Sequence, residues 1–253
     1  MSHPISHKQK LIDLLQNCKG ATILDYGCGR GDFINILLNS PNTPSLIVAA
    51  DSDPAMIECI NQSFSTTISQ GRVITKTIST PTELQGTKFD NIICHNVLEC
   101  VDDKLAFINA FKPLFCDING VFILSHHDFD SAIFNSAFKI LTRNLVHHFA
   151  DTQQKWQEYS DGQMGRKIPG LMARSAFREL TKCETWRLVD NEFIPGTYGY
   201  LMADMLMEVG KGTFNESEMI SWRQDLIEKN QSCDFYFAID LVVALCECSN
   251  RHI

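Results

Sequence analysis

Over the first half of the chain, short apolar runs alternate with stretches whose apolar positions recur at helical spacing. Leu11, Ile12, Leu14 and Leu15 predict a helix from residue 8 to about 18. "ATILDYG" then reads as a buried strand, "GDFINILLNS" as a helix stopped by Asn39, Ser40 and Pro41, and "SLIVAAD" as a second strand. Pro54 opens the helix "PAMIECINQSF", because a proline suits the first helical turn. "GRVITKTI" and "KFDNIICHNV" supply the third and fourth strands, "KLAFINAFKPLF" an amphipathic helix, and "NGVFILSHHD" a fifth strand after an Asn-Gly turn. These strands are continuous apolar runs, as expected where both faces of a sheet are covered. The alternation predicts an α/β fold with a doubly wound, mostly parallel sheet.

After Asp128 the rhythm changes. Residues 131–182 and 199–231 predict two helical blocks, separated by a strand in "ETWRLVDNEFI" and a glycine-hinged loop in "PGTYGY". "DFYFAIDLVVALCEC" closes the pattern as a long apolar strand. The helical blocks are expected over the carboxyl edge of the sheet, where open α/β folds bind ligands. They would form a lid on a single domain spanning 1–253.

Composition narrows the partners. At 253 residues with 44% hydrophobic content, the chain can bury a large core. A net charge of −8 disfavours a general nucleic-acid binder. No run approaches the roughly 20 apolar residues of a membrane span, and the polar start "MSHPISHKQK" lacks the core of a signal peptide, so the expectation is a cytoplasmic protein without a membrane partner. Ten cysteines at irregular spacing read as buried thiols in a reducing compartment. Cys246 and Cys248 form a C-x-C pair with no second pair, so no metal site is expected.

The candidate chemistry starts at "ILDYGCGRGDF". Three glycines at alternate positions behind a strand imply close backbone approach to a ligand. A dinucleotide site would carry G-x-G-x-x-G, yet Asp32 stands where its third glycine belongs. An acid at a helix N-terminus repels pyrophosphate, so a ligand without phosphates fits better.

Here the sequence resembles the class I, Rossmann-like S-adenosylmethionine-dependent methyltransferases. "ILDYGCGRGDF" is similar to their first motif, "VAADSDPAMI" to the second, "FDNIICHNVLECV" to the fourth-strand motif and "NGVFILSHHD" to the fifth-strand segment. The resemblance implies S-adenosylmethionine as cofactor. Asp25, Gly27, Cys28 and Gly29 would hold its amino-acid end, and Asp51 with Ser52 its ribose. Asp51 could instead be a helix N-cap ahead of Pro54. Ser79 stands where the family often places an adenine contact, and His95, Asn96 and Val97 would flank the ammonium and sulfonium.

For the methyl acceptor, "SHHDFD" offers His126 and His127, which titrate near neutrality, with Asp128 to orient an imidazole. Each could equally serve the core or a helix cap. Arg143 and Arg166 could clamp a substrate carboxylate, and Tyr198 and Tyr200 could close over it. The expected activity is N- or O-methylation of a small molecule. A protein or RNA methyltransferase and an inactive cofactor-binding sensor remain the alternatives.

Overall fold

The computed structural model describes residues 7–15, 18–116, 120–152 and 161–247. Its seven strands are β1 (Thr22–Tyr26), β2 (Leu46–Asp51), β3 (Val73–Thr77), β4 (Asn91–His95), β5 (Val121–Phe134), β6 (Thr181–Asp190) and β7 (Phe237–Glu247). They form one sheet in the order β3-β2-β1-β4-β5-β7-β6. The first five are parallel; β7 inserts antiparallel between β5 and β6. The strand order reverses between β1 and β4, the switch point at which such sheets open a crevice.

The period-2 alternation of strands decides the two cores. Leu24, Tyr26, Val48, Ala50, Ile92 and Cys94 enter one cluster, and their neighbours Ile23, Ile47, Ala49 and Ile93 the other. The helices α1 (His7–Asp13), α2 (Asp32–Leu38) and α3 (Pro54–Ser63) contribute to the second cluster, followed by the short α4 (Ser65–Ser69). The first cluster is closed by α5 (Lys104–Ala110) and α7 (Met164–Met172). Asp53, not Asp51, caps α3, accepting the N–H of Ala55 at 2.8 Å.

A third apolar cluster lies beyond the carboxyl edge. There α6 (Lys139–Asp151), α8 (Tyr198–Gly210) and α9 (Glu216–Gln231) pack Leu145, Val146, Met202, Leu206, Trp222 and Leu226 against Phe129, Phe235 and Phe237. The insertions are less purely helical than the sequence predicts. Strand β5 runs on to Phe134, six residues past the expected end at Asp128, because β7 reaches equally far and pairs with it. Between Asp128 and Ile133 the register shifts: five steps along β5 face only two along β7. The Ser131 hydroxyl stitches this bulge, donating to the Asp128 carbonyl at 2.6 Å and accepting the Asp240 N–H at 2.9 Å. "PGTYGY" is likewise not a loop throughout. Thr197 caps α8, so Tyr198 and Tyr200 sit in its first turn.

Candidate functional site

The turn after β1 is held from both sides. Gly27 and Cys28 donate backbone N–H groups to the Ala50 carbonyl, at 2.8 and 3.1 Å. Gly29 donates to the Asp51 carboxylate at 2.9 Å, and the other oxygen of that carboxylate accepts the Asp53 N–H at 3.0 Å. Gly27 (φ +74°), Gly29 (φ +49°) and Gly31 (φ +86°) are all left-handed. Gly27 has a second reason to lack a side chain: an added Cβ would come within 2.3 Å of Val97 Cγ2. A Cβ on Gly29 meets nothing within 4 Å, so that position opens on empty space.

Asp25 lies under this turn, 1% exposed, and one of its carboxylate oxygens has no hydrogen-bond partner among the described residues. Burial pushes its carboxyl up to about 7, against the pull of Lys8. A buried acid kept short of a partner is suited to a cationic ligand group.

The turn is one wall of a cavity of about 440 Å³. Gly27, Cys28, Gly29, Arg30, Asp32 and Phe33 form that wall, with His7 and Lys8 of α1 beside it. His95, Asn96 and Glu99 line it from the end of β4, and His127 and Phe129 from β5. Phe149, Thr152, Tyr198, Leu201 and Met205 bring α6 and α8 over the top.

Three imidazoles converge here. The rings of His7, His95 and His127 lie 5.2–5.6 Å apart, centroid to centroid. His95 Nδ1 meets the Ser125 hydroxyl at 2.9 Å. His127 Nδ1 meets the Asn96 side-chain amide, whose oxygen also accepts the His127 N–H at 3.0 Å. Asn96 reaches it from a left-handed conformation (φ +54°), which asparagine tolerates better than most residues. Tyr198 stacks on His127, 4.6 Å between centroids and 14° from parallel. Burial holds His95 and His127 well below the ordinary imidazole range and lowers His7 to about 4, so all three are neutral at pH 7.

The sequence-expected residues divide into two groups. Gly27, Cys28, Gly29, His95, Asn96, His127 and Tyr198 line the cavity. Asp25, Asp51 and Val97 are not among its lining residues; Asp51 and Val97 hold the glycine turn, through Gly29 and Gly27. His126 alternates to the other face of β5, where its Nδ1 lies 2.7 Å from the His127 carbonyl oxygen. Ser52 and Ser79 are exposed; the Ser79 N–H donates to Glu83, which also closes a capping box with Thr80.

Asp128 and Arg166 are brought together, but with each other. Arg166 donates to both Asp128 carboxylate oxygens, Nε at 2.5 Å and Nη2 at 2.8 Å, and reaches Asp130 at 3.2 Å. Asp130 also meets His147 and, at 3.1 Å, the Gln163 amide. Burial alone would raise the Asp130 carboxyl, but His147, Arg166 and Gln163 outweigh it and hold it low. Arg143 is exposed on α6, and Tyr200 packs under the Arg223 guanidinium at 4.9 Å; neither lines the cavity. Sequence reasoning missed His7, Lys8, Phe33 and Phe129 as lining residues. His7 stands in a polar N-terminal stretch with no motif around it, so only the fold reveals its place. Cys248 of the C-x-C pair lies outside the described residues.

A family profile described as a methyltransferase domain matches residues 17–191. The backbone is similar to that of a methyltransferase candidate from Bacillus halodurans C-125, with TM-score 0.59, 11% identity, and coverage of 96% of this chain and 99% of that one. It is similar to the YcgJ protein of Bacillus subtilis, with TM-score 0.58, 16% identity, and coverage of 96% and 99%. A S-adenosylmethionine-dependent methyltransferase of Thiobacillus denitrificans, solved with S-adenosylhomocysteine, matches with TM-score 0.51, 12% identity, and coverage of 97% and 94%. At these identities the likenesses establish the fold. No curated protein gives a significant sequence match.

Proposed function

The chain belongs to the methyltransferase-domain family, as a class I S-adenosylmethionine-dependent enzyme, and we propose that it methylates a nitrogen or oxygen of a small-molecule acceptor. The observation that carries this reading is the cavity itself. At about 440 Å³ it is of small-molecule size, with the glycine turn as one wall and α6 and α8 as its cover. A macromolecular acceptor would need an open groove, and Phe149, Leu201 and Met205 stand where that groove would run.

The residues fit the cofactor. The unpartnered Asp25 oxygen and the open face of Gly29 are what an ammonium and a closely approaching ligand backbone require. Asp25, Gly27, Cys28 and Gly29 would hold the amino-acid end, with Asn96 beside it. Asp51 would take the ribose hydroxyls while keeping its bond to Gly29. S-adenosylmethionine, when bound, supplies a methyl group on a sulfonium, which makes the displacement itself easy. The chain's part is alignment and exclusion of water. Phe33, Phe129 and Phe149 give an apolar wall, and His95, His127 and Tyr198 line its polar side. His127 faces the cavity, whereas His126 and Asp128 hold β5 and the α7 segment in place behind it.

The test is transfer of labelled methyl from S-adenosylmethionine into a fractionated extract. Label in the small-molecule fraction is the expected result. Label confined to protein or RNA overturns the acceptor class, and tight S-adenosylhomocysteine binding without any transfer indicates a sensor.

A further inference from the structure

We propose that His7, His95 and His127 together bind one divalent transition-metal ion of the zinc type, with open coordination positions facing the cavity. This deepens the functional reading, on which it rests for the identity of the neighbouring ligand, by placing a metal between the imidazoles and the acceptor.

Four observations converge. One potential ligand atom from each ring lies within 4.8 Å of those of the other two. Across a tetrahedral site with bonds of about 2.1 Å the nitrogens stand about 3.4 Å apart, so binding draws the rings inward by roughly 1 Å. His7 is the ring best able to move, because α1 is a short helix of seven residues.

The outer nitrogens of His95 and His127 are already occupied. His95 Nδ1 is tied to Ser125 and His127 Nδ1 to Asn96, which fixes each ring and leaves Nε2 inward. Metal-ligating histidines are held in this way, the far nitrogen bonded to an outer partner. The inner nitrogens, in contrast, lack partners: Nε2 of His7 and of His127 are buried with no hydrogen bond among the described residues. Two orphaned acceptors or donors in one small space are costly unless something binds them.

The donor set selects the ion. Three neutral imidazoles suit zinc, copper, nickel or iron, and lack the several oxygens that magnesium or calcium require. Neutral ligands also leave the full charge of the ion exposed to the cavity. The open positions therefore favour water, hydroxide or an ionisable oxygen of the acceptor, as in three-histidine catalytic zinc sites. Phe33 and Phe129 pack edge and face against His95 and His127, keeping the cluster in apolar surroundings.

The experiment uses untagged protein, stripped with a chelator and titrated with Co²⁺, with Zn²⁺ as competitor. The expected result is one equivalent bound, with visible bands of nitrogen and oxygen ligation and no thiolate-to-cobalt charge-transfer band. His7→Ala and, separately, His95→Asn should each weaken Co²⁺ binding by at least about tenfold, with circular dichroism confirming that the variants fold. Binding that shows the thiolate band assigns the metal to cysteines such as the exposed Cys183 and Cys233, and binding that persists unchanged in His7→Ala places it away from the three rings; either result overturns the proposal. Absence of stoichiometric binding overturns it as well. Calorimetry with S-adenosylhomocysteine on the stripped protein separates the two readings: its failure removes the methyltransferase site, whereas loss of metal alone removes only the metal.

Discussion

The carboxylate of Asp51 accepts the Gly29 N–H at 2.9 Å, joining the end of β2 to the middle of the glycine turn. The acid proposed for the ribose thus also shapes the wall proposed for the cofactor's other end. Asp51→Ala should therefore weaken S-adenosylhomocysteine binding by more than a ribose contact alone. A charge-assisted hydrogen bond contributes about 1.5–3 kcal/mol, or roughly 10- to 150-fold in Kd. Asp51→Asn keeps a carbonyl for Gly29 and should lose less. Calorimetry on both variants decides it, and equal losses would show that the turn does not depend on Asp51.

Gly27 and Gly29 should respond differently to alanine. Both are left-handed, which costs a residue with a Cβ about 1–2 kcal/mol. At Gly27 the new methyl also meets Val97 Cγ2 at 2.3 Å, whereas at Gly29 it meets nothing. Gly27→Ala should lower the Tm by clearly more than Gly29→Ala, and adding Val97→Ala should restore only the steric part of the loss. Gly29→Ala should instead act on the ligand, reducing S-adenosylhomocysteine affinity because its methyl projects into open space at the cavity wall. Thermal melts with calorimetry read both effects. Similar melting losses for the two variants would sink the distinction.

The sheet was legible in the sequence because its strands are continuous apolar runs and its helices carry local stop signals. Asn39, Ser40 and Pro41 end α2 as their chemistry requires, and Pro54 opens α3. What escaped was non-local. Nothing near residues 131–134 signals a strand; it exists because β7, about a hundred residues later, pairs with it. The glycines of "PGTYGY" imitate a loop, yet Gly199 lies inside α8, where a Cβ would come within 2.8 Å of Phe237. The candidate site divides along the same line. Gly27, Gly29, Asp51 and His95 sit in motifs tied to strand ends and His127 in the fifth-strand motif, where topology fixes their position. His7 has no such tie, and the pairing of Asp128 with Arg166 spans 38 residues of chain.

Asp25→Asn should stabilise the ligand-free protein while weakening its cofactor. The folded-state carboxyl titrates near 7, above its ordinary value of 3.8, because burial disfavours the charge. Between these values the unfolded chain binds fewer protons than the folded one, so this group's contribution to stability falls as pH rises through the window. The asparagine variant removes that cost. It should melt above wild type at pH 8, by about 1–2 kcal/mol once the orphaned amide is allowed for, and the gap should close toward pH 4. His126 runs the other way in both proteins, since burial lowers it from 6.5 to about 4 and stability is lost as pH falls through that range. The difference between variant and wild type cancels it. A gap that does not change with pH would mean that Asp25 is not the titrating group.

Arg166 and Asp128 should act as one unit in stability. The guanidinium spans two carboxylates, Asp128 with a side chain 6% exposed and Asp130 with one 12% exposed. Removing it leaves the buried Asp128 without its cation, which is destabilising, while Asp130 keeps His147 and Gln163. The Arg166 side chain is itself 45% exposed, so solvent softens the loss to about 1.5–3 kcal/mol, or roughly 4–10 °C in Tm for a domain of this size. Arg166→Lys keeps the charge but not the two-pronged geometry and should fall between wild type and Arg166→Ala. The paired replacement Asp128→Asn with Arg166→Gln should recover part of the loss, giving a coupling of about 1 kcal/mol in a double-mutant cycle. If Arg166→Ala melts like wild type, the ion pair does not hold β5 to α7. The melting curves alone separate these outcomes, before any acceptor has been identified.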